Sequence, residues 1–309
     1  MKRHFREWSV AATLGLLLIV LAITAPGFFR TRQLLSTLST AIPVLLVACG
    51  MAIVIISRQI DVSVGSQFAI CSVLAGLLVR EHWPVAAAAA AAIAAGVCLG
   101  ALNGFFVAAL GLPSIVVTLA TMVTWREALR WCREGEFVRD LPSGFQWFGL
   151  GQLPGQLSIL AISVALFLFL AWALKYLSAG RFAYAIGSDA EAARLAGLRP
   201  RWITFWVFVL LGGLTAIAAL LNAVRFTDID PKTGTGLEFS AIAAAVVGGI
   251  AISGGRGNLW GVLAGVLLLA CIGPALVFFR WPPQWEKALQ GLIILAAVTA
   301  DGWRTKKQS

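Results

Sequence analysis

The sequence predicts an all-α protein, a polytopic membrane helical bundle of about ten transmembrane helices with one short helix outside the bilayer. Three observations carry that expectation. Of the 309 residues, 60% are hydrophobic and only 12% are charged, about half the charge that a water-facing globular surface carries. Mean hydropathy is +0.88. The apolar residues also gather in runs of about 20, the length at which a helix crosses the hydrocarbon core. Residues 1–309 are therefore expected to form a single transmembrane domain.

Runs bounded by Arg, Pro, Gly or Asp place the spans near Trp8–Phe29, Leu34–Ser57, Val64–Val79, Pro84–Leu110, Pro113–Trp131, Leu157–Tyr176, Ile203–Val224, Ser240–Ile252, Leu259–Phe279 and Trp285–Thr299. The eighth is short. The first follows a basic start and resembles a signal peptide, but it is long enough to cross and nine more runs follow it. Several tryptophans, among them Trp8, Trp83, Trp131, Trp202 and Trp285, stand near span ends, where interfacial belts form.

Net charge is +10, from 24 Lys and Arg against 14 Asp and Glu. The excess sits in short gaps and tails, such as Lys2, Arg3 and Arg6 or Arg304, Lys306 and Lys307. That placement orients spans and meets anionic lipid headgroups and does not suggest a nucleic-acid partner. With the N-terminus cytoplasmic, ten spans return the C-terminus to the same side, and the loop at about 177–202 is cytoplasmic too. The five cysteines are scattered without C-x-x-C spacing, so neither a disulfide framework nor a metal site is expected.

Each half carries a glycine ladder. Gly96, Gly100 and Gly104 recur every four residues, as do Gly257, Gly261 and Gly265. That spacing puts each set on one helical face, where two backbones approach closely in lipid and can slide past one another.

Ionisable and strongly polar groups inside a bundle are costly and raise functional hypotheses. Asp61 either caps the third span together with Ser63 or lines a solute route or gate with Ser63 and Ser66. Asn103 sits mid-ladder and serves either an interhelical hydrogen bond or the same route. Glu238, at the start of the short eighth span, suits the helix dipole or a gate. Glu127, between Arg126 and Arg130, reads as part of a surface ion cluster.

The 177–202 loop is the most informative polar stretch. Ser188 followed by Glu191 has the spacing of a capping box. Asp189 suits the first turn and Arg194 the last. Gly197 is placed to end the helix in a left-handed conformation, ahead of Pro200. A helix of two to three turns is too short to stand alone in water, so it needs something to pack on.

The loop from Gly180-Arg181-Phe182 through Gly187-Ser188-Asp189 and Glu191-Ala192-Ala193-Arg194 to Gly197 resembles the coupling-helix region of permeases in bacterial ATP-binding-cassette sugar importers. Gln59-Ile60-Asp61-Val62-Ser63-Val64-Gly65-Ser66 is similar to that family's GIDLSVGS signature, with Gln59 where many relatives have Gly. Gly234-Thr235-Gly236-Leu237-Glu238, the run Ala241 to Gly249 and Gly254-Gly255-Arg256-Gly257 match its C-terminal half. Order and spacing agree from about residue 25 to 302, and the likeness is greatest to the subgroup holding autoinducer-2 and rhamnose permeases.

The resemblance implies a permease of the bacterial inner membrane, working by alternating access as a homodimer or beside a sister permease. It further implies a separate ATPase with two nucleotide-binding halves and an exported sugar-binding protein. Consistently, the chain has no G-x-x-x-x-G-K-[ST] loop and no G-x-S-x-G elbow. Its two histidines, His4 and His82, stand apart from any metal pattern, so no cofactor and no catalytic group is expected. The alternative, an ion-coupled secondary transporter of a small polar solute, needs mid-span carboxylates.

Overall fold

The computed structural model describes residues 5–306 apart from Pro283; Lys2, Arg3, His4, Pro283 and Lys307 lie outside the described residues. In chain order the helices are α1 (Phe5–Thr24), α2 (Thr31–Ile56), α3 (Val64–Arg80), α4 (Val85–Ala108), α5 (Ser114–Arg133), α6 (Gln152–Tyr176), α7 (Ser178–Ser188), α8 (Ala190–Leu195), α9 (Pro200–Ala223), α10 (Leu237–Val247), α11 (Leu259–Phe278) and α12 (Trp285–Lys306). The ten expected spans fall on α1–α6 and α9–α12. Five of these, α2, α4, α6, α9 and α11, are by themselves long and apolar enough to cross a membrane. The chain is an all-α membrane bundle.

α2 is the centre post. Apolar nearly all round from Ala41 to Ile56, it has no face to show water and is buried along almost that whole length. α6, α9, α10 and α11 pack around it. α4 and α6 form the rim and bury one stripe each. On α4 the stripe runs Ala88, Ala92, Gly96, Gly100, Asn103, Gly104 and Val107, the period of one helical face. Leu102 and Phe105 on α4 and Leu168, Phe169 and Trp172 on α6 point outward, as an apolar environment permits.

The first glycine ladder lies against α9. A methyl at Gly100 would overlap the Phe208 carbonyl and stand 3.1 Å from the Gly212 Cα. The second ladder is split. Gly261 and Gly265 face α10, where a methyl at Gly265 would overlap the Ala244 carbonyl. Gly257, expected on the same helical face, precedes the helix. Asn258 caps α11 by accepting from the Gly261 N–H at 2.9 Å, and Gly257 takes φ +132° in the preceding loop, a conformation open to glycine.

α3 and α10 are partial crossings. α10 has 11 residues, about 16 Å at 1.5 Å per residue, half of a core about 30 Å thick. Residues 225–236 descend into the bundle before α10 begins, and residues 57–63 precede α3. The first of these segments meets the first turn of α3, for a side chain at Gly234 would stand 2.7 Å from the Gly65 carbonyl. An isolated antiparallel bridge, Val138 to Ile229, packs on Gly76 at the far part of α3.

The 177–202 segment corrects one expectation. Ser188 does not cap a helix; it is the last residue of α7, a helix the sequence read as loop. Asp189 is the cap of α8, extended at φ −158° and ψ 108°, its Oδ1 accepting from the N–H groups of Glu191 (2.9 Å) and Ala192 (3.0 Å). Glu191 turns the other way, to the Arg194 guanidinium at 2.9 and 2.5 Å. α8 is accordingly six residues long, shorter than the two to three turns expected, and Gly197 follows it with φ +85°.

Candidate functional site

Two clusters hold the residues singled out in the sequence. The first surrounds α7 and α8. Glu191, Ala192, Arg194 and Leu195 are exposed on α8, while Ala193 is buried toward the bundle. Leu195 is 76% exposed, an apolar side chain on a polar tip. The Glu191 carboxyl is held below the usual carboxylate range by Arg194. The Asp189 carboxyl is also held low, first by the Ala192 N–H and then by that of Glu191.

Behind α8 the chain is pinned to α2 and to residues 249–257. The Arg58 Nη2 donates to the Ser188 carbonyl (2.8 Å) and its Nε donates to the Ser253 carbonyl (2.8 Å). The Gly255 N–H donates to the Ile56 carbonyl at 2.8 Å. The Tyr184 hydroxyl donates to the Gly257 carbonyl at 2.7 Å. Gly187 sits so close that a methyl there would overlap the Ile56 carbonyl and stand 2.7 Å from the Gly255 N. This junction joins the end of α2, the segment leading into α3, the end of α7 and the exit from α10.

The second cluster fills the start of α3. Asp61, Ser63, Ser66, Gln67 and Asn103 are all fully buried. Asp61 Oδ1 accepts from the Ser63 N–H (2.8 Å) and hydroxyl (2.6 Å). Its Oδ2 accepts from the amides of Gln67 and Asn103, both at 3.3 Å. Those two amides also reach the Ser63 Oγ at 2.8 Å, and the Ser66 hydroxyl donates to the Ser63 carbonyl at 2.8 Å. α5 closes the far side, its Ser114 Oγ accepting from the Ile60 N–H (3.2 Å) and its Thr118 Oγ1 from the Val62 N–H (3.1 Å). Buried carboxylates need such donors; here the chain itself supplies them. Asp61 binds Ser63 and ties down the segment before α3.

Glu238 is on α10, across Gly65 from this knot, and Arg126 of α5 also lies beside Gly65. A methyl at Gly65 would overlap the Glu238 Oε2 and lie 3.2 Å from the Arg126 Nη2. The ion cluster expected around Glu127 therefore divides. Glu127 pairs with Arg130 at 3.2 Å on the exposed face, whereas Arg126 turns inward and donates from Nη1 to the Thr233 carbonyl at 3.2 Å. Neighbours in sequence do not share a helical face, the signal that separates Arg126 from Glu127. Gln67, four residues after Ser63, was open to the same reasoning. Arg58 gave no local sign.

A short helix of half the membrane's thickness, buried polar groups where α3 and α10 begin, and a bundle with an apolar exterior fit a membrane permease. Residues 33–298 match the family described as the branched-chain amino acid transport system permease component, and the chain belongs to that family. It is 36% identical over 294 residues to the autoinducer 2 import system permease protein LsrC of Escherichia coli (strain K12 / DH10B), covering 93% of this chain and 86% of that protein. It is 34% identical over 293 residues to LsrC of Salmonella typhimurium (strain LT2), covering 93% and 84%, and 33% identical over 297 residues to LsrC of Salmonella typhi, covering 96% and 86%. No solved structure shows a significant match.

Proposed function

We propose that this chain is the permease subunit of an ATP-driven importer and carries a sugar-like solute, of the ribose, rhamnose or autoinducer-2 kind, through the bacterial inner membrane by alternating access. Residues 1–309 act as one transmembrane domain with both termini cytoplasmic. The surface formed by Ser188, Asp189, Glu191, Ala192, Arg194 and Gly197, with Gly187 and Ala193 packed beneath it, docks on a separate ATPase with two nucleotide-binding halves. A sugar-binding protein delivers solute to the opposite mouth, and a second copy or a sister permease completes the pathway. The family description names amino acids and the relatives' names give autoinducer 2; identity over nearly the full chain favours the latter class.

One observation supports the coupling role above the others. The junction at Arg58, Gly187 and Gly255 ties α8 to the segments leading into α3 and leaving α10. A force applied to α8 is thereby delivered to both partial crossings at once, on the path where Asp61, Ser63, Ser66, Asn103 and Glu238 stand.

The test is uptake of labelled ribose, rhamnose and autoinducer 2 in a deletion strain that carries the cognate ATPase and binding protein. Glu191→Lys reverses the charge on the docking face, and Gly197→Val burdens a left-handed position. Both should abolish uptake at unchanged amounts of inserted protein. Normal uptake in the two variants would sink the coupling assignment.

A further inference from the structure

Arg126 and Glu238 bring opposite charges to the place where α3 and α10 begin side by side. Gly76, beside the Val138–Ile229 bridge, marks the outer part of α3. Gly65 is eleven residues earlier, hence about 16 Å deeper at the rise of an α-helix. Against a core about 30 Å thick, that places the start of α3 well inside the apolar length of the bundle. Charge is expensive there, and as a rule such residues mark a solute or ion pathway.

The pair is not closed on itself. Glu238 is 5% exposed; its Oε1 accepts from the Gly236 N–H at 3.3 Å, and its Oε2 has no hydrogen-bond partner among the described residues. That oxygen is directed at the first turn of α3, since it is what a methyl at Gly65 would strike. A buried carboxylate oxygen without a donor costs more than one left in water, and an apolar pair of similar volume would be the more stable choice. In the Asp61 knot nearby both carboxylate oxygens are served by the chain's own donors, and the oxygens left without a partner there are the neutral amide oxygens of Gln67 and Asn103.

We propose that Arg126 and Glu238 form the constriction inside the bundle that recognises the solute, and that it takes a neutral, hydroxyl-rich molecule. Glu238 Oε2 accepts from one solute hydroxyl and Arg126 Nη2 donates to another. An anion would face the carboxylate, and a cation would face the guanidinium and the positive ends of α3 and α10. A neutral polyol uses both partners and repels neither. Glycine at 65, 234 and 236 keeps side chains out of the space between them. The inference rests on the permease reading and names the chemistry of its site.

The experiment uses the complete importer with its ATPase and binding protein in proteoliposomes, and reads initial uptake of labelled ribose, rhamnose and autoinducer 2. Glu238→Gln and Arg126→Lys should each raise the KM for the transported solute by about tenfold or more, the worth of one charge-assisted hydrogen bond. ATP hydrolysis stimulated by the binding protein should persist. Where a variant does not accumulate, Glu238→Asp, which withdraws the oxygen by one methylene, should give the same rise. Unchanged KM in the variants beside an active wild type overturns this inference alone. A wild type that moves none of the three solutes, with ATP hydrolysis indifferent to the binding protein, overturns the permease reading and this inference with it.

Discussion

Asp189 holds α8 in place through two backbone N–H groups, and the proton balance of that cap sets when the face proposed to dock the ATPase exists. Its carboxyl is held below the usual range in the folded chain, chiefly by the Ala192 N–H and then that of Glu191. A depressed pKa contributes stability that is present above the unfolded value and is lost as pH falls through the folded one. Docking of the ATPase should therefore be flat through neutral pH and weaken only in acid, below the ordinary carboxylate range. Asp189→Ser, a cap without a titrating group, should bind the ATPase at neutral pH and keep binding further into acid. Co-purification of the two subunits across a pH series reads this directly, and parallel losses in wild type and variant would exclude the cap as the cause. Asp61 and Ser63 could be singled out from sequence because they are two residues apart beside a helix start. Asn103, 42 residues from Asp61, could be noticed as polar but not assigned to it, and Arg58, 130 residues from Ser188, carried no signal. Partners that meet only through the fold leave no local pattern.

At the scale of elements, the helix pair α4 and α9 shows what a period of four can and cannot convey. Repetition placed Gly96, Gly100 and Gly104 on one face, and the structure sets that face on α9, but spacing does not say how close each contact is. A methyl at Gly100 meets backbone atoms of Phe208 and Gly212. At Gly104 its nearest neighbours are the Phe205 carbonyl at 3.0 Å and side-chain atoms of Phe205 and Phe208 at 3.2 Å. At Gly213 it meets only a Val97 methyl at 3.4 Å. Overpacking of this kind costs about 1–3 kcal/mol where neighbours cannot yield. Thermal unfolding in detergent should rank Gly100→Ala as the most damaging, Gly104→Ala as intermediate and Gly213→Ala as near neutral. A flat series would mean that α4 and α9 separate easily. The same logic explains the misplacement of Gly257, because a repeat does not register the Asn258 cap that starts α11 one residue later. α7 escaped notice for a related reason. Gly180 and Gly187 read as loop residues, yet both are sites of close approach, to the Leu174 carbonyl and the Ile56 carbonyl.

Over the whole molecule, the end of α2, α7 and the 249–257 loop behave as one block, and Gly187 is where that block can be broken with a single carbon. A methyl there collides with the Ile56 carbonyl, which already accepts from the Gly255 N–H at 2.8 Å. Backbone must shift to admit it, while the exposed face of α8, with Glu191, Arg194 and Leu195, keeps its own cap and ion pair. Gly187→Ala should therefore still bind the ATPase but transmit motion poorly to α3 and α10. In proteoliposomes uptake should fall by about tenfold, equivalent to about 1.4 kcal/mol of lost coupling, while ATP hydrolysis stays at or above the wild-type rate. Docking variants such as Glu191→Lys differ in losing ATPase binding together with uptake. If Gly187→Ala lost ATPase binding as well, the junction would be part of the docking surface rather than the link behind it. If uptake were untouched, α8 would drive the partial crossings by another route, and the bond from Gly255 to Ile56 would be packing alone.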